Sequence, residues 1–182
     1  DTDTGATSAV SEGTSEERYP SVSPDGRKIA FTTGGIDYDV VEIGVGGPAS
    51  VTPLLATSRS ETYASWAPSG SQFCYTTDAG GSSEIWVRNI TEGWGKPVVT
   101  HQTEGMPEWH ALAVPRISPD GRRMAYDAMG TQHGIWISPI TGGRAVPLDP
   151  QSSDNHASSW SPDGNWIAYR RLHQGKWELA KA

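Results

Sequence analysis

Cysteine occurs once in the 182 residues, so no disulfide can form within the chain and the redox compartment stays open. No stretch of about 18 apolar residues is present, so the sequence offers no membrane-crossing helix. Basic residues are scarce: Lys and Arg total 14 against 21 Asp and Glu, a net charge of -7. That deficit argues against nucleic acid, which requires a basic footprint, and against an anionic membrane surface. A protein, peptide or sugar partner stays open. Also missing are the HExxH, CxxC and His-x-His spacings of metal sites, the Gly-x-Ser-x-Gly elbow of serine hydrolases and any phosphate-cradling glycine loop. Neither an initiator methionine nor a signal-peptide pattern stands at Asp1, so a mature form or an excised domain is expected.

What the chain does have is turns and tryptophan, with Gly 21, Pro 13 and Trp 8. A four-residue pattern recurs: Ser23-Pro24-Asp25-Gly26, Ala67-Pro68-Ser69-Gly70, Ser118-Pro119-Asp120-Gly121 and Ser161-Pro162-Asp163-Gly164. Successive copies lie 44, 51 and 43 residues apart, a period typical of repeat architectures. Proline presets φ for a turn, aspartate or serine bonds its own backbone, and glycine takes the left-handed conformation that returns the chain. After each turn comes a large, small, aromatic triplet: Ile29-Ala30-Phe31, Phe73-Cys74-Tyr75, Met124-Ala125-Tyr126 and Ile167-Ala168-Tyr169. Alternation of that kind with β-favouring residues predicts a strand, and Val22, Trp66, Ile117 and Trp160 close the strand before it. Each quartet therefore closes a β-hairpin. Third strands follow around Val40–Ile43, Ile85–Val87, Ile135–Ile137 and Trp177–Ala180, and weaker fourth strands around Ser50–Leu54 and Arg144–Leu148. Four short antiparallel strands per repeat of about 45 residues make the blade of a β-propeller. The expected fold is an all-β propeller over residues 1–182, with about four blades around 18–60, 61–108, 109–152 and 153–182. Cys74 takes the small strand position of Ala30, Ala125 and Ala168 and reads as core.

The run Tyr19 to Phe31, with its Ser23-Pro24-Asp25-Gly26, resembles the TolB-type, WD40-like propeller repeat known as PD40, and Glu84-Ile85-Trp86-Val87 is similar to that repeat's next element. The resemblance spans nearly the whole chain. It implies a periplasmic or extracytoplasmic binding propeller with a protein partner, an outer-membrane lipoprotein being one instance. It also implies an alternative, since similar blades precede the hydrolase domain of prolyl-oligopeptidase-like peptidases and gate their substrate. A carbohydrate-binding or lyase-like propeller is a third reading, which would require His, Arg and a metal clustered at one mouth. Fold alone does not choose among them.

Residues 6–11 align with the fourth strand of the next repeat, while the last repeat lacks its own fourth strand. Joining the two would close the ring and remove exposed sheet edges. Three geometries follow: a self-closed four-bladed ring, two chains forming eight blades as a homodimer through open blade edges, or part of a larger propeller.

For ligand contacts the segment from Trp94 to Trp109 stands out, because seven or eight extra residues separate the second and third quartets. Trp94, His101, Trp109 and His110 there form a candidate recognition patch, whose bland counterpart is tryptophans covering a blade edge. His156, before the innermost strand of the last repeat, is placed either at a channel mouth or in an ordinary turn. With His133 and His173 it is scattered in sequence, which makes no case for a metal. Asp1, Asp3, Gly5 and Glu12 imitate calcium-loop spacing, but Gly5 and Ala6 break the pattern and a solvated terminus is expected. No cofactor or metal is expected. Asn89-Ile90-Thr91 reads as a strand end, and the aspartates repeated once per quartet as structural devices and not catalytic acids.

Overall fold

The computed structural model describes residues 4–11, 16–35, 37–45, 50–152 and 154–182, and the described residues contain no helix. Asp1, Asp3 and Glu12 of the calcium-like spacing lie outside them. Four antiparallel sheets follow one another along the chain. The first contains β1 (Glu16–Val22), β2 (Lys28–Gly34), β3 (Tyr38–Gly44) and β4 (Val51–Leu55), and the second β5 (Glu61–Trp66), β6 (Gln72–Thr77), β7 (Glu84–Asn89) and β8 (Gly95–Val99). The third contains β9 (Trp109–Ile117), β10 (Arg123–Gly130), β11 (Gly134–Pro139) and β12 (Val146–Pro147). The fourth has three strands, β13 (Asn155–Trp160), β14 (Ile167–His173) and β15 (Lys176–Lys181). Strand order is sequence order in every sheet, as in a propeller blade.

Each quartet closes the hairpin between the first two strands of its blade. In the first, the Ser23 hydroxyl donates to Asp25 Oδ1 at 2.6 Å and accepts from the Lys28 N–H at 2.9 Å, while the Arg27 N–H donates to Asp25 Oδ1. Ser118 with Asp120 and Ser161 with Asp163 repeat the arrangement. The glycines are required by geometry: Gly26, Gly70, Gly121 and Gly164 have φ of 70°, 69°, 70° and 69°. Ser69 replaces the aspartate with a longer contact, its Oγ accepting the Ser71 N–H at 3.3 Å.

The large, small, aromatic triplet is a packing rule between blades. The small residue faces the following blade together with an aliphatic residue of the third strand, and the large pair faces the preceding blade. Ala30 and Val40 of the first blade thus pack on Trp66, Phe73 and Tyr75 of the second. Cys74 and Ile85 meet Ile117, Met124 and Tyr126, and Ala125 and Ile135 meet Ile167 and Tyr169. Large side chains buried this way contribute about 1.5–3 kcal/mol each. Asn89 is buried at a strand end, its Oδ1 accepting the N–H groups of Thr91 and Glu92, so the sequon residue serves a turn.

Two expectations require correction. Residues 6–11 form no strand, and β15 has no fourth strand beside it among the described residues. Val10 and Ser11 instead border a cavity on the first blade with Arg18, Pro20, Ile29 and Phe31, at the opposite end of the blade series from β15. The blades pack first to second, second to third and third to fourth, with no packed interface between first and last among the described residues. Among the described residues the blades form an arc, and the two ends do not close it into a ring. The segment from Trp94 to Trp109 is also more regular than its weak strand cues imply: it holds β8, and Trp109 opens β9.

A feature the repeat pattern did not announce lies in the innermost strands. β1, β5, β9 and β13 each carry a register shift against the second strand of the blade. In the first three, the shift contains a left-handed residue that is not glycine: Tyr19, Tyr63 and Val114, with φ of 56°, 57° and 52°. Such bulges cost local strain and re-aim the neighbouring side chains. The rings of Tyr19 and Tyr63 meet at 4.0 Å.

Candidate functional site at the mouth of the third and fourth blades

Strand direction places the starts of the innermost strands, and the loops between second and third strands, at the end of the blades opposite the quartet turns. Four rings from this end stand in a row. His110 is the second residue of β9, His133 lies between β10 and β11, His156 is the second residue of β13, and Trp177 is in β15. Centroid spacings are 6.3 Å for His110 to His133, 6.2 Å for His133 to His156 and 6.1 Å for His156 to Trp177. The Arg170 guanidinium lies over the Trp177 ring at 4.5 Å. A pocket of about 250 Å³ opens beside His133, lined also by Gln132, Trp136, Pro147, Asp149 and Asn155.

Two carboxylates flank the central histidine. His156 Nδ1 is 3.3 Å from Asp127 Oδ2, and its Nε2 is 2.7 Å from Asp154 Oδ1. The second approach is short but lacks hydrogen-bond alignment, for Asp154 Oδ1 is buried and makes no hydrogen bond. Donor atoms of His133, Asp154 and His156 all lie within 4.8 Å of one another. Chemically, the row offers aromatic faces, two imidazoles and a carboxylate to a cation or to a basic side chain.

Register shows why these residues belong to this place alone. Facing pairs immediately before each bulge are Arg18 with Thr32, Thr62 with Thr76, Ala113 with Asp127 and His156 with Arg170. Asp127 and His156 therefore each replace a different residue in the other repeats, and they meet only because their blades are neighbours. A per-repeat residue serves the fold, while a break in the repeat at a mouth marks a candidate site.

Two further carboxylates lie at the same end between the first and second blades. Glu61 is 1% exposed, and its Oε1 accepts the Thr57 hydroxyl hydrogen while Oε2 has no hydrogen-bond partner. Burial raises its pKa; the Thr57 bond lowers it in part, and the charges of Asp39 and Asp37 raise it further. Asp39 is likewise raised by burial and by Asp37.

The residues expected to form one patch divide among three places. His110 joins the row, which also holds His156, a residue read apart from that patch. Trp109 is only 8% exposed, donates from Nε1 to the Ser83 carbonyl at 3.2 Å and stacks on His101 at 4.6 Å, so this pair covers core. Trp94 sits at the other end: Gly95 faces Arg88 and Val99 faces Ile85, which puts Trp94 beside the quartet turns, under Lys96. The patch fails as a unit because β8 carries the chain from one end of the blade to the other. His133, far from His156 in sequence, is its neighbour in space, and Asp127, Asp154 and Trp177 were not singled out. The signal that finds Asp127 and His156 is their departure from the repeat.

Known proteins share this architecture. A curated relative, the uncharacterized protein Atu1656 of Agrobacterium fabrum, is 25% identical over 163 residues, which is 88% of this chain and 52% of that protein. The TolB structure from Acinetobacter baumannii superposes with a TM-score of 0.73 at 20% identity, over 94% of this chain and 42% of that one. Puromycin hydrolase superposes with a TM-score of 0.67 at 16% identity, over 89% of this chain and 26% of that one. The chain spans about half the length of the curated relative it matches. The PD40 model, described as the TolB beta propeller domain, matches residues 1–181, and the chain belongs to that family.

Proposed function

We propose that the chain is a non-enzymatic binding propeller of the TolB kind, which takes a protein or peptide segment at the mouth formed by its third and fourth blades. The observation that carries this reading is the row His110, His133, His156 and Trp177, contributed by consecutive blades and flanked by Asp154. Aromatic faces beside a carboxylate suit basic or aromatic side chains, and the net charge of -7 favours a basic segment. The periplasmic setting implied by the TolB resemblance belongs to the same reading.

The test is fluorescence polarisation with labelled basic and acidic peptides of equal length, in the presence of a chelator. The basic peptides are expected to bind, and Trp177→Ala and His110→Ala each to weaken them about tenfold, the scale of an interface hot spot. Equal binding of both peptide classes, or unchanged affinity in both variants, contradicts the reading. A second reading, an accessory propeller that gates substrate for a peptidase, is favoured by the match to 26% of puromycin hydrolase. A serine-hydrolase domain in the same polypeptide would decide for it.

A further inference from the structure

His156 and Asp154 stand in a relation that a neutral His156 with its proton on Nδ1 does not satisfy, and a proton on Nε2 finds no aligned hydrogen bond at Asp154 Oδ1. Asp127 lies on the Nδ1 side of the His156 ring, and an imidazole that donates Nδ1–H to a carboxylate keeps its lone pair on Nε2. That Nε2 then faces Asp154 Oδ1 at 2.7 Å, nitrogen lone pair against carboxylate oxygen. Two such donors repel unless a positive centre lies between them. Buried and without a hydrogen bond, Asp154 Oδ1 has the environment of an oxygen awaiting a cation.

We propose that His133, Asp154 and His156 bind a divalent transition-metal ion at the mouth, with Asp127 as the outer carboxylate that positions the His156 ring. Zinc bonds of about 2.0–2.2 Å place tetrahedral neighbours about 3.4 Å apart. The three donor atoms lie within 4.8 Å of one another; the Asp154–His156 pair opens from 2.7 Å, and His133, exposed between β10 and β11, closes the wider gap by side-chain rotation. Two imidazoles and one carboxylate select zinc, manganese and their neighbours over calcium, which takes six to eight oxygens. A carboxylate bonded to the second nitrogen of a ligating histidine is the usual outer partner of such sites. Three protein ligands leave a position open, so the ion presents an exchangeable site to whatever occupies the pocket beside His133. None of the three residues is shared with the other repeats, so the site occurs once in the described chain.

This inference is independent of the peptide reading, because it is measured with metal alone. Zinc chloride, manganese chloride and calcium chloride are titrated into the full chain by calorimetry after chelator removal. Expected are one equivalent of zinc or manganese bound, no calcium heat, and a loss of about 100-fold in His156→Ala and Asp154→Ala. Asp127→Asn is expected to lose 10–100-fold, the usual effect of an outer partner. His133→Ala, on the surface, weakens binding without disturbing the fold and keeps the test valid if a buried variant fails to fold. His101→Ala is expected to bind as the parent does. No heat with zinc or manganese, stronger binding of calcium, or binding that survives unchanged in His133→Ala and His156→Ala overturns the proposal.

Discussion

His156 of the fourth blade reaches Asp127 of the third, Nδ1 to Oδ2 at 3.3 Å, and this contact joins two blades through residues found at those positions in no other repeat. Asp127 is nearly buried, so removing its histidine partner leaves a carboxylate with one bond fewer in a poorly solvated place. His156→Ala is expected to lower stability by about 1–3 kcal/mol in urea unfolding. His133→Ala is expected to stay within about 0.5 kcal/mol of the parent. Equal effects of the two would contradict a structural link between the blades through His156.

The quartet turn gives a second prediction. Ser118 is buried and its hydroxyl serves both the Arg123 N–H and Asp120, so Ser118→Ala is expected to cost about 1 kcal/mol. The Ser118 hydroxyl, followed by the Arg122 N–H, holds the Asp120 carboxyl below its ordinary range. A carboxyl lowered in the folded state adds stability above its unfolded value of about 3.9 and loses it as pH falls toward the folded value. The acid limb of the stability profile is therefore expected to be shallower in Ser118→Ala, and an identical acid limb would contradict this.

Glu61 has the opposite sign. With its carboxyl raised by burial, the folded state binds the proton more tightly than the unfolded one, so this group's contribution falls as pH rises above the unfolded value of about 4.3. Glu61→Gln keeps an acceptor for the Thr57 hydroxyl and removes the buried charge. It is expected to raise stability by about 1 kcal/mol near neutral pH and to flatten that decline, by the usual worth of a satisfied polar group. A destabilised variant at neutral pH would contradict the assignment.

Leu179 is 83% exposed, whereas Val40, Ile85 and Ile135, at the same register position, are covered by the next blade. The first blade presents Val22, 59% exposed, and Ile29 at positions that in later blades receive the preceding one. A second copy seated head to tail would satisfy both faces by the packing rule already used inside the chain. Light scattering is expected to show a mass that rises above 19.5 kDa with concentration and falls back in Leu179→Asp. A constant 19.5 kDa at every concentration would contradict this.

The blades were legible because their signals are local and repeated. Pro-x-Gly turns fix the hairpins, and Ala30, Cys74, Ala125 and Ala168 mark the same strand position four times. Cys74 indeed lies in the core, its thiol pushed up to about 12 by burial. β8 was hidden because Gly95-Lys96-Pro97 carries little β propensity and gains its strand from pairing with β7. The N-terminal segment was misplaced because composition cannot say which sheet edge lies nearby. His133, Asp154 and His156 were illegible as a group because blade packing, not sequence spacing, brings the first to the other two.

The most direct test of the mouth as the functional centre is a two-bond proton–nitrogen correlation spectrum of the histidine-labelled chain near neutral pH, before and after zinc. His156 is predicted to carry its proton on Nδ1, and the ring signals of His156 and His133 to move on zinc addition while those of His101 and His173 stay. A proton on Nε2 of neutral His156, or a spectrum in which zinc moves none of these signals, would contradict the account.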